Sequence, residues 1–200
     1  MNKKYNDVLL YKVLRPIITF LFKLLYRPKI IGASNIPKSK RIILAGNHNN
    51  NFDSALLISS TKRNIHFLAK AELFTGMKKI LFSNMGLIPV NRKVKDHNVL
   101  EHAYNYLNND KVIGIFPEGT FGRGTILPFK IGAVKMAYET KSQIVPFAIT
   151  GTYKLFSKDL KIVFGKPIKI NSDNLEQENE KLRNTVVKMV GETNGNIWYI

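Results

Sequence analysis

"RIILAGNHNNNFDSALLISSTK", Arg41 to Lys62, decides the fold class of this chain of 200 residues. "RIILAGNH" is an apolar run that ends in polar residues, which is typical of a buried strand leading into a loop. "FDSALLISSTK" is typical of the helix that follows such a loop. The segment therefore predicts a strand, a polar loop and a helix, with His48 in the loop and Asp53 at or near the first turn of the helix.

The same alternation of strand and helix patterns continues along the chain. Strands are predicted for "NIHFLAK", "LIPVNR", "KVIGIFPEGT", "QIVPFAITG" and "LKIVFGKPIKI". Helices are predicted for "ELFTGMKKILFSNMG", "DHNVLEHAYNYLNND", "KIGAVKMAYETK" and "ENEKLRNTVVKMVGE". The polar residues Asn171 to Glu180 are interpreted as a linker or loop. This order predicts one α/β domain with a mixed, largely parallel sheet flanked by helices, whose functional groups collect in loops beyond the strand ends.

The composition favours a partner that carries negative charge. Lysine and arginine number 31 against 14 for aspartate and glutamate, which gives a formal net charge of +17. Such a charge favours nucleic acid, an anionic membrane surface or a phosphorylated substrate, and it does not choose among them. Cysteine is absent, which excludes a disulfide framework and a cysteine nucleophile and is compatible with a reducing cytoplasm.

The N-terminal residues are both apolar and basic. Up to Arg41, Asp7 is the only acidic residue, against ten lysines and arginines. Bases interrupt the apolar segment Val8 to Tyr26, so it falls short of the roughly 20 apolar residues of a membrane span and does not match a secretory signal peptide. Two interpretations are open: an amphipathic helix that lies in an anionic membrane interface, or a helix that packs on its own domain. The predicted organisation is an interfacial segment, residues 1–28, and a folded domain, residues 29–200.

His48 and Asp53 lie five positions apart and also have two interpretations. In the first, Asp53 accepts a hydrogen bond from one ring nitrogen of His48, and the other nitrogen acts as a general base. In the second, Asp53 caps the helix and His48 is a solvated loop residue. The chain has neither a cysteine nor a Gly-x-Ser-x-Gly elbow, so a base here would activate the hydroxyl of a substrate.

Five sequence blocks, in order, resemble the glycerolipid acyltransferase family typified by bacterial 1-acylglycerol-3-phosphate acyltransferases. The blocks are "NHNNNFD", then "KAELF" with "GLIPVNR", then "FPEGT", "IVPFAI" and "FGKPI". The resemblance extends from about Ile30 to Ile170. It supports the first interpretation of His48 and Asp53, because four ordered blocks and a late element are far more specific than one histidine and one aspartate.

The resemblance implies roles for individual residues. His48 would deprotonate the acceptor hydroxyl, Asp53 would orient His48, and the alkoxide would attack an acyl thioester directly. The residues implied in substrate binding are Lys70, Arg92, Glu118, Gly119, Thr120 and Arg123. Arg92 is suited to a bidentate phosphate contact, whereas Glu118 would orient a base or a backbone turn.

The chain departs from the family at one position of the third block. Where the family usually has an arginine after "FPEGT", this chain has Phe121, followed by Gly122 and Arg123. The expected phosphate site therefore lacks one cationic side chain, for which Arg123 or Lys130 could compensate. The departure leaves lyso-lipids with other head groups open as acceptors.

The expected reaction is the transfer of a fatty acyl group to lysophosphatidic acid, giving phosphatidic acid in phospholipid synthesis. The resemblance implies an acyl group carried on coenzyme A or on acyl carrier protein as the donor. The basic, apolar N-terminal segment predicts an anionic membrane surface as a partner. No metal or other cofactor is expected, since the histidines have no metal-ligand spacing. The expected location is the cytoplasmic face of the cell membrane, as a peripheral or monotopic protein. The competing class is a basic nucleic-acid-binding module, but the aromatic residues lie within apolar runs and no nucleic-acid-binding motif is present.

Overall fold

The computed structural model describes residues 9–76, 86–90 and 97–193. The helices in these ranges are α1 Leu9–Tyr26, α2 Asp53–Ser59, α3 His97–Asn108, α4 Gly132–Thr140 and α5 Leu175–Thr193. The strands are β1 Lys29–Ile31, β2 Ile42–Gly46, β3 Ile65–Lys70, β4 Ile88–Val90, β5 Val112–Ile115, β6 Gln143–Thr150, β7 Lys161–Phe164 and β8 Ile168–Lys169. Two short 3-10 helices, Ala33–Asn35 and Ala71–Leu73, follow β1 and β3.

The strands form one mixed sheet in the order β1-β7-β6-β2-β5-β3-β4, and β8 pairs with β6. The pairs β1 with β7, β2 with β5, β2 with β6, β3 with β5 and β3 with β4 are parallel. Only β6 with β7 and β6 with β8 are antiparallel among the described strand pairs. The structure therefore confirms the predicted α/β domain with a mixed, mostly parallel sheet.

Helices cover both faces of this sheet. Strand β2 lies at its centre with all of its residues buried, and successive side chains point to opposite faces. Ile42 and Leu44 pack in one cluster with residues of α1 and α2. Ile43 and Ala45 pack in a second cluster with residues of α3, α4 and α5. The apolar run of the opening segment is thus explained by a strand buried on both faces.

The parallel arrangement brings three loops to one edge of the sheet. Ala45 pairs with Ile115 of β5, and Gly46 pairs with Phe147 of β6. A Cβ at position 46 would lie 2.2 Å from the carbonyl oxygen of Phe147, so this close approach requires glycine. Because β2, β5 and β6 run in the same direction, the residues that follow their carboxyl ends lie at a common edge.

Two elements differ from the sequence-based prediction. The short strand β1 was not predicted, because its three residues directly precede turn-forming residues. The loop predicted for Asn171 to Glu180 is wrong beyond Asn174, since α5 begins at Leu175. The side chain of Asn174 accepts a hydrogen bond from the backbone N–H of Gln177 at 3.1 Å, and acidic residues occupy the first turn. Such a cap and such charges favour a helix start even in a polar segment.

Part of one predicted helix cannot be compared with the structure. The segment "ELFTGMKKILFSNMG" covers residues 72–86, and residues 77–85 lie outside the described residues. Before this gap, the 3-10 helix Ala71–Leu73 follows β3. After it, the extended segment predicted for "LIPVNR" contains β4.

Helix α1 has one buried face and one exposed apolar face. Tyr11 and Phe22 are buried in the core, and the hydroxyl of Tyr11 accepts a hydrogen bond from the backbone N–H of Ile65 at 3.0 Å. Its outer face exposes Val13, Ile17, Phe20, Leu21 and Leu24. None of the described helices is both long enough and apolar enough to cross a bilayer. The packing interpretation of α1 is therefore correct for its inner face, and its contact with a membrane stays a prediction.

Candidate active site

His48 and Asp53 form a hydrogen-bonded pair in the loop between β2 and α2. His48 Nδ1 lies 2.8 Å from Asp53 Oδ2. The Asp53 side chain is completely buried, whereas that of His48 keeps 18% of its surface exposed. A carboxylate at Nδ1 favours the tautomer that carries its proton there, which leaves Nε2 free to accept a proton. The geometry is that of a histidine base oriented by an aspartate.

The alternative role of Asp53 as a helix cap does not fit its contacts. Asp53 is the first residue of α2, and the residue at the cap position, Phe52, makes no capping bond through its side chain. Asp53 Oδ2 instead accepts hydrogen bonds from the backbone N–H groups of Asn49, at 2.7 Å, and Asn50, at 2.9 Å. The carboxylate therefore organises the loop that carries His48.

Tyr153, in the loop after β6, was missed by the sequence analysis. Its hydroxyl donates a hydrogen bond to Asp53 Oδ1. Burial raises the pKa of the Tyr153 phenol well above its ordinary value, and the negative charge of Asp53 raises it further. The phenol therefore stays protonated and acts as a donor. No motif marks "GTYKLF", and the one available signal was its position beyond a strand predicted to end at the functional edge.

Glu118, in the "FPEGT" turn after β5, ties its loop to that of His48. Its side chain is almost fully buried. Oε1 accepts a hydrogen bond from the backbone N–H of His48 at 2.8 Å, and Oε2 accepts one from Leu127 at 2.9 Å. Both oxygens are thus occupied by the protein backbone. The structure assigns Glu118 an orienting contact, and its direct contact with a substrate stays a prediction.

Gly122 forms a second hydrogen bond between the loop of Glu118 and the loop of His48. Its N–H donates a hydrogen bond to the carbonyl of His48 at 2.8 Å. A Cβ at this position would lie 2.0 Å from the carbonyl oxygen of Thr125 and 2.6 Å from Glu118 Oε2. Only glycine fits there. Together, Glu118 and Gly122 hold the backbone of His48 through both its N–H and its C=O group.

Two aromatic rings flank the His48 imidazole. Phe116 stacks on it with ring centroids 4.1 Å apart and an angle of 15° between the planes. Phe121 approaches at 4.5 Å with an angle of 60°. The residue that replaces the arginine of the resembled family is therefore an apolar wall of the histidine site.

Asn47 anchors the end of β2 to β6. It is 1% exposed, and its side chain forms two hydrogen bonds with Ile149. Its amide donates to the carbonyl of Ile149 at 2.8 Å, and its Oδ1 accepts from the N–H of Ile149 at 2.7 Å. These two side-chain bonds hold the residue after β2 against β6, at the point where the His48 loop begins.

The predicted substrate-binding residues are more open. Lys70 ends β3, and Thr120 and Arg123 follow the turn of Glu118; all three are exposed. Within the described ranges, their side chains form no hydrogen bond or ion pair, so they are available to a ligand. Gly119 adopts a φ of 71°, and a Cβ there would lie 2.9 Å from Lys130 Nζ. The predicted phosphate contact of Arg92 lies outside the described residues.

Comparison with known proteins gives consistent results. A family model described as Acyltransferase matches residues 27–150, which include His48, Asp53 and Glu118. A 1-acyl-sn-glycerol-3-phosphate acyltransferase of Borreliella burgdorferi is 34% identical over 135 residues, which are 66% of this chain and 54% of that protein. The enzyme of the same name from Bacillus subtilis is 29% identical over 151 residues, covering 70% of this chain and 73% of that protein.

One solved structure is similar over almost the whole chain. It is the crystal structure of the 1-acyl-sn-glycerophosphate (LPA) acyltransferase PlsC from Thermotoga maritima. Its TM-score is 0.76 at 23% sequence identity, and the match covers 95% of this chain and 81% of that one. The similarity establishes a shared fold. The chain spans about half the length of the Borreliella relative.

Proposed function

This chain belongs to the acyltransferase family, and we propose that it transfers a fatty acyl group from an acyl thioester to lysophosphatidic acid, giving phosphatidic acid. The observation that carries the proposal is the hydrogen bond between His48 Nδ1 and the buried carboxylate of Asp53, beside the turn of Glu118. The names of the Borreliella and Bacillus relatives support the choice of acceptor. The donor is acyl-CoA or acyl carrier protein, and the reaction uses no metal or other cofactor.

The chemistry needs only a base and correct placement of two substrates. The acceptor hydroxyl gives its proton to His48 Nε2 as its oxygen bonds to the thioester carbonyl carbon. Asp53 stabilises the imidazolium that forms. When the tetrahedral adduct collapses, the carbon–sulfur bond breaks and the leaving thiolate takes the proton from His48. No enzyme nucleophile is required, since direct transfer between bound substrates relies on proximity and orientation.

The acceptor phosphate would be bound by the basic residues at the same edge of the sheet. Arg123 and Lys130 lie in the segment that follows the Glu118 turn, and Lys130 Nζ passes close to Gly119. These two cations would compensate for Phe121, with Arg92 as a bidentate contact. Another lysophospholipid is the alternative acceptor, because Phe121 contacts His48 where an arginine would have added charge.

Membrane association would follow from the exposed apolar surface of α1 and the neighbouring loop. Leu155 and Phe156 are exposed, and the N–H of Phe156 donates a hydrogen bond to the carbonyl of Leu25 in α1 at 2.6 Å. The loop therefore adjoins the C-terminal end of α1, a helix whose exposed residues also include Lys12 and Lys23. Apolar side chains with interspersed bases suit the interface of an anionic bilayer. We place the protein at the cytoplasmic face of the cell membrane, as a peripheral or monotopic enzyme.

The activity is tested with the purified chain on anionic vesicles. Lysophosphatidic acid is supplied with acyl-CoA or with acylated acyl carrier protein, and phosphatidic acid is measured by mass spectrometry. Parallel reactions contain lysophosphatidylcholine, lysophosphatidylethanolamine or lysophosphatidylglycerol. Preferred turnover of lysophosphatidic acid is expected. If only another lysophospholipid were acylated, that lipid would be the acceptor in place of lysophosphatidic acid. If no lysophospholipid were acylated, the proposed acyltransferase activity would be wrong.

The membrane contact is tested by changing only the exposed face of α1. The double variant Phe20→Ser and Leu24→Ser removes two exposed apolar side chains, so its partitioning onto anionic vesicles should fall about tenfold or more in a flotation assay. The matched control is Val187→Ser, which removes an exposed apolar side chain from α5. Equal flotation of the double variant and the control would contradict the role of α1.

A further inference from the structure

We infer that Tyr153 is a positioning residue for the His48–Asp53 pair and that helix α1 holds it in place. The inference rests on the function proposed above and adds a residue outside every sequence block of the resemblance. Tyr153 acts through Asp53, since its hydroxyl contacts the carboxylate rather than His48. It also donates the one hydrogen bond that joins the loop after β6 to the pair within the described part of the chain.

The hydrogen bonds of Asp53 are divided unequally between its two oxygens. Oδ2 faces His48 Nδ1 and the backbone N–H groups of Asn49 and Asn50. Oδ1 has one donor among the described residues, the hydroxyl of Tyr153. A completely buried carboxylate oxygen without a donor is strongly unfavourable. Tyr153 therefore determines how the carboxylate plane is turned and how Oδ2 meets His48.

The ring of Tyr153 is itself held by aromatic side chains. Its centroid lies 6.2 Å from that of Phe22 at an angle of 75°, and 5.8 Å from that of Tyr26 at an angle of 80°. Phe52, next to Asp53, lies 5.9 Å away. Phe22 and Tyr26 belong to α1, and Phe22 is buried. Edge-on packing of this kind restricts the ring, so α1 sets the direction of the Tyr153 hydroxyl.

The donor state of Tyr153 is secured by its surroundings. Burial and the charge of Asp53 both raise the pKa of its phenol, so the hydroxyl stays protonated throughout the range in which a histidine base works. A donor on Oδ1 draws negative charge away from Oδ2. Without it, the charge of Asp53 rests more on Oδ2, and the hydrogen bond between Oδ2 and His48 Nδ1 changes.

The variant that isolates this role is Tyr153→Phe, which keeps the ring and removes only the hydroxyl. We expect kcat to fall about tenfold or more, with KM for both substrates within about twofold. Tyr138→Phe, which removes the hydroxyl of a half-buried tyrosine in α4, should change neither value.

A spectroscopic measurement separates this inference from the proposed function. In ¹⁵N-labelled protein without substrate, His48 should show a protonated Nδ1 in the wild type and a shifted Nδ1 resonance in Tyr153→Phe, with His48→Ala supplying the assignment. Unchanged kcat or an unshifted resonance in Tyr153→Phe would overturn the inference while leaving the proposed function intact. A shifted resonance in a protein that acylates no lysophospholipid would support the positioning role and contradict the proposed function.

Discussion

The loop after β2 and the outer part of the loop after β5 lie at the same edge of the sheet and are built in opposite ways. In the first, the Asp53 carboxylate is buried and hydrogen-bonded on both oxygens, and the backbone of His48 is held through both polar groups. In the second, Thr120 and Arg123 are exposed and their side chains make no bond within the described residues. The contrast separates a rigid region suited to proton transfer from an open region suited to substrate recognition.

The largest effect is expected from removing the imidazole that we propose as the base, in the loop after β2. His48→Ala should lower kcat about 10²–10⁴-fold, because general base catalysis is lost. Its control is His102→Ala, which changes an exposed histidine in α3. Initial rates measured beside thermal unfolding would show whether the loss is chemical. Equal turnover in the two variants would show that His48 is not the base.

A smaller effect is expected from the contact that joins the two loops. Glu118→Gln leaves one acceptor oxygen for two backbone N–H groups, those of His48 and Leu127. One buried donor then lacks a partner, which should lower the free energy of unfolding by about 1–3 kcal/mol and kcat by roughly tenfold. Chemical denaturation and initial rates measure both. Glu139→Gln, at an exposed position of α4, is the control. If this control were equally destabilising, the loss in Glu118→Gln would not come from its bonds to His48 and Leu127.

The smallest effect is expected in the open region. Arg123→Ala should raise KM for lysophosphatidic acid about threefold to tenfold and leave kcat and the melting temperature almost unchanged. Its exposed side chain is proposed to bind a charged substrate, and it makes no hydrogen bond or ion pair with the described residues. Lys188→Ala, on an exposed part of α5, should leave KM unchanged. If kcat fell while KM stayed constant, Arg123 would act in the reaction step rather than in substrate binding. The loops after β2 and β5 would then not differ in role.

The sequence predicted the framework better than the contacts within the site. The apolar run of β2, the polar loop and the start of α2 follow from local patterns, and the ordered blocks of the resemblance selected His48 and Asp53. The bond from His48 to Glu118 joins residues 70 positions apart, and Tyr153 lies 100 positions from Asp53. Contacts between residues so far apart in the sequence depend on the order of the strands in the sheet, and this order cannot be predicted from local hydrophobic periodicity. The start of α5 was missed for a different reason, since a polar helix is recognised by its cap more than by its apolar face.

The buried face of α1 has a consequence for anyone who wishes to prepare a shortened enzyme. Truncation before residue 27 would remove Tyr11 and Phe22 from the core, as well as the ring contacts of Tyr26. The loss of a large buried aromatic side chain costs about 3–5 kcal/mol, and domains of this size are stable by only about 5–15 kcal/mol. A truncated chain would therefore lose folding stability together with the exposed apolar face of α1. Solubility is better gained by polar substitutions on the outer face of the intact helix.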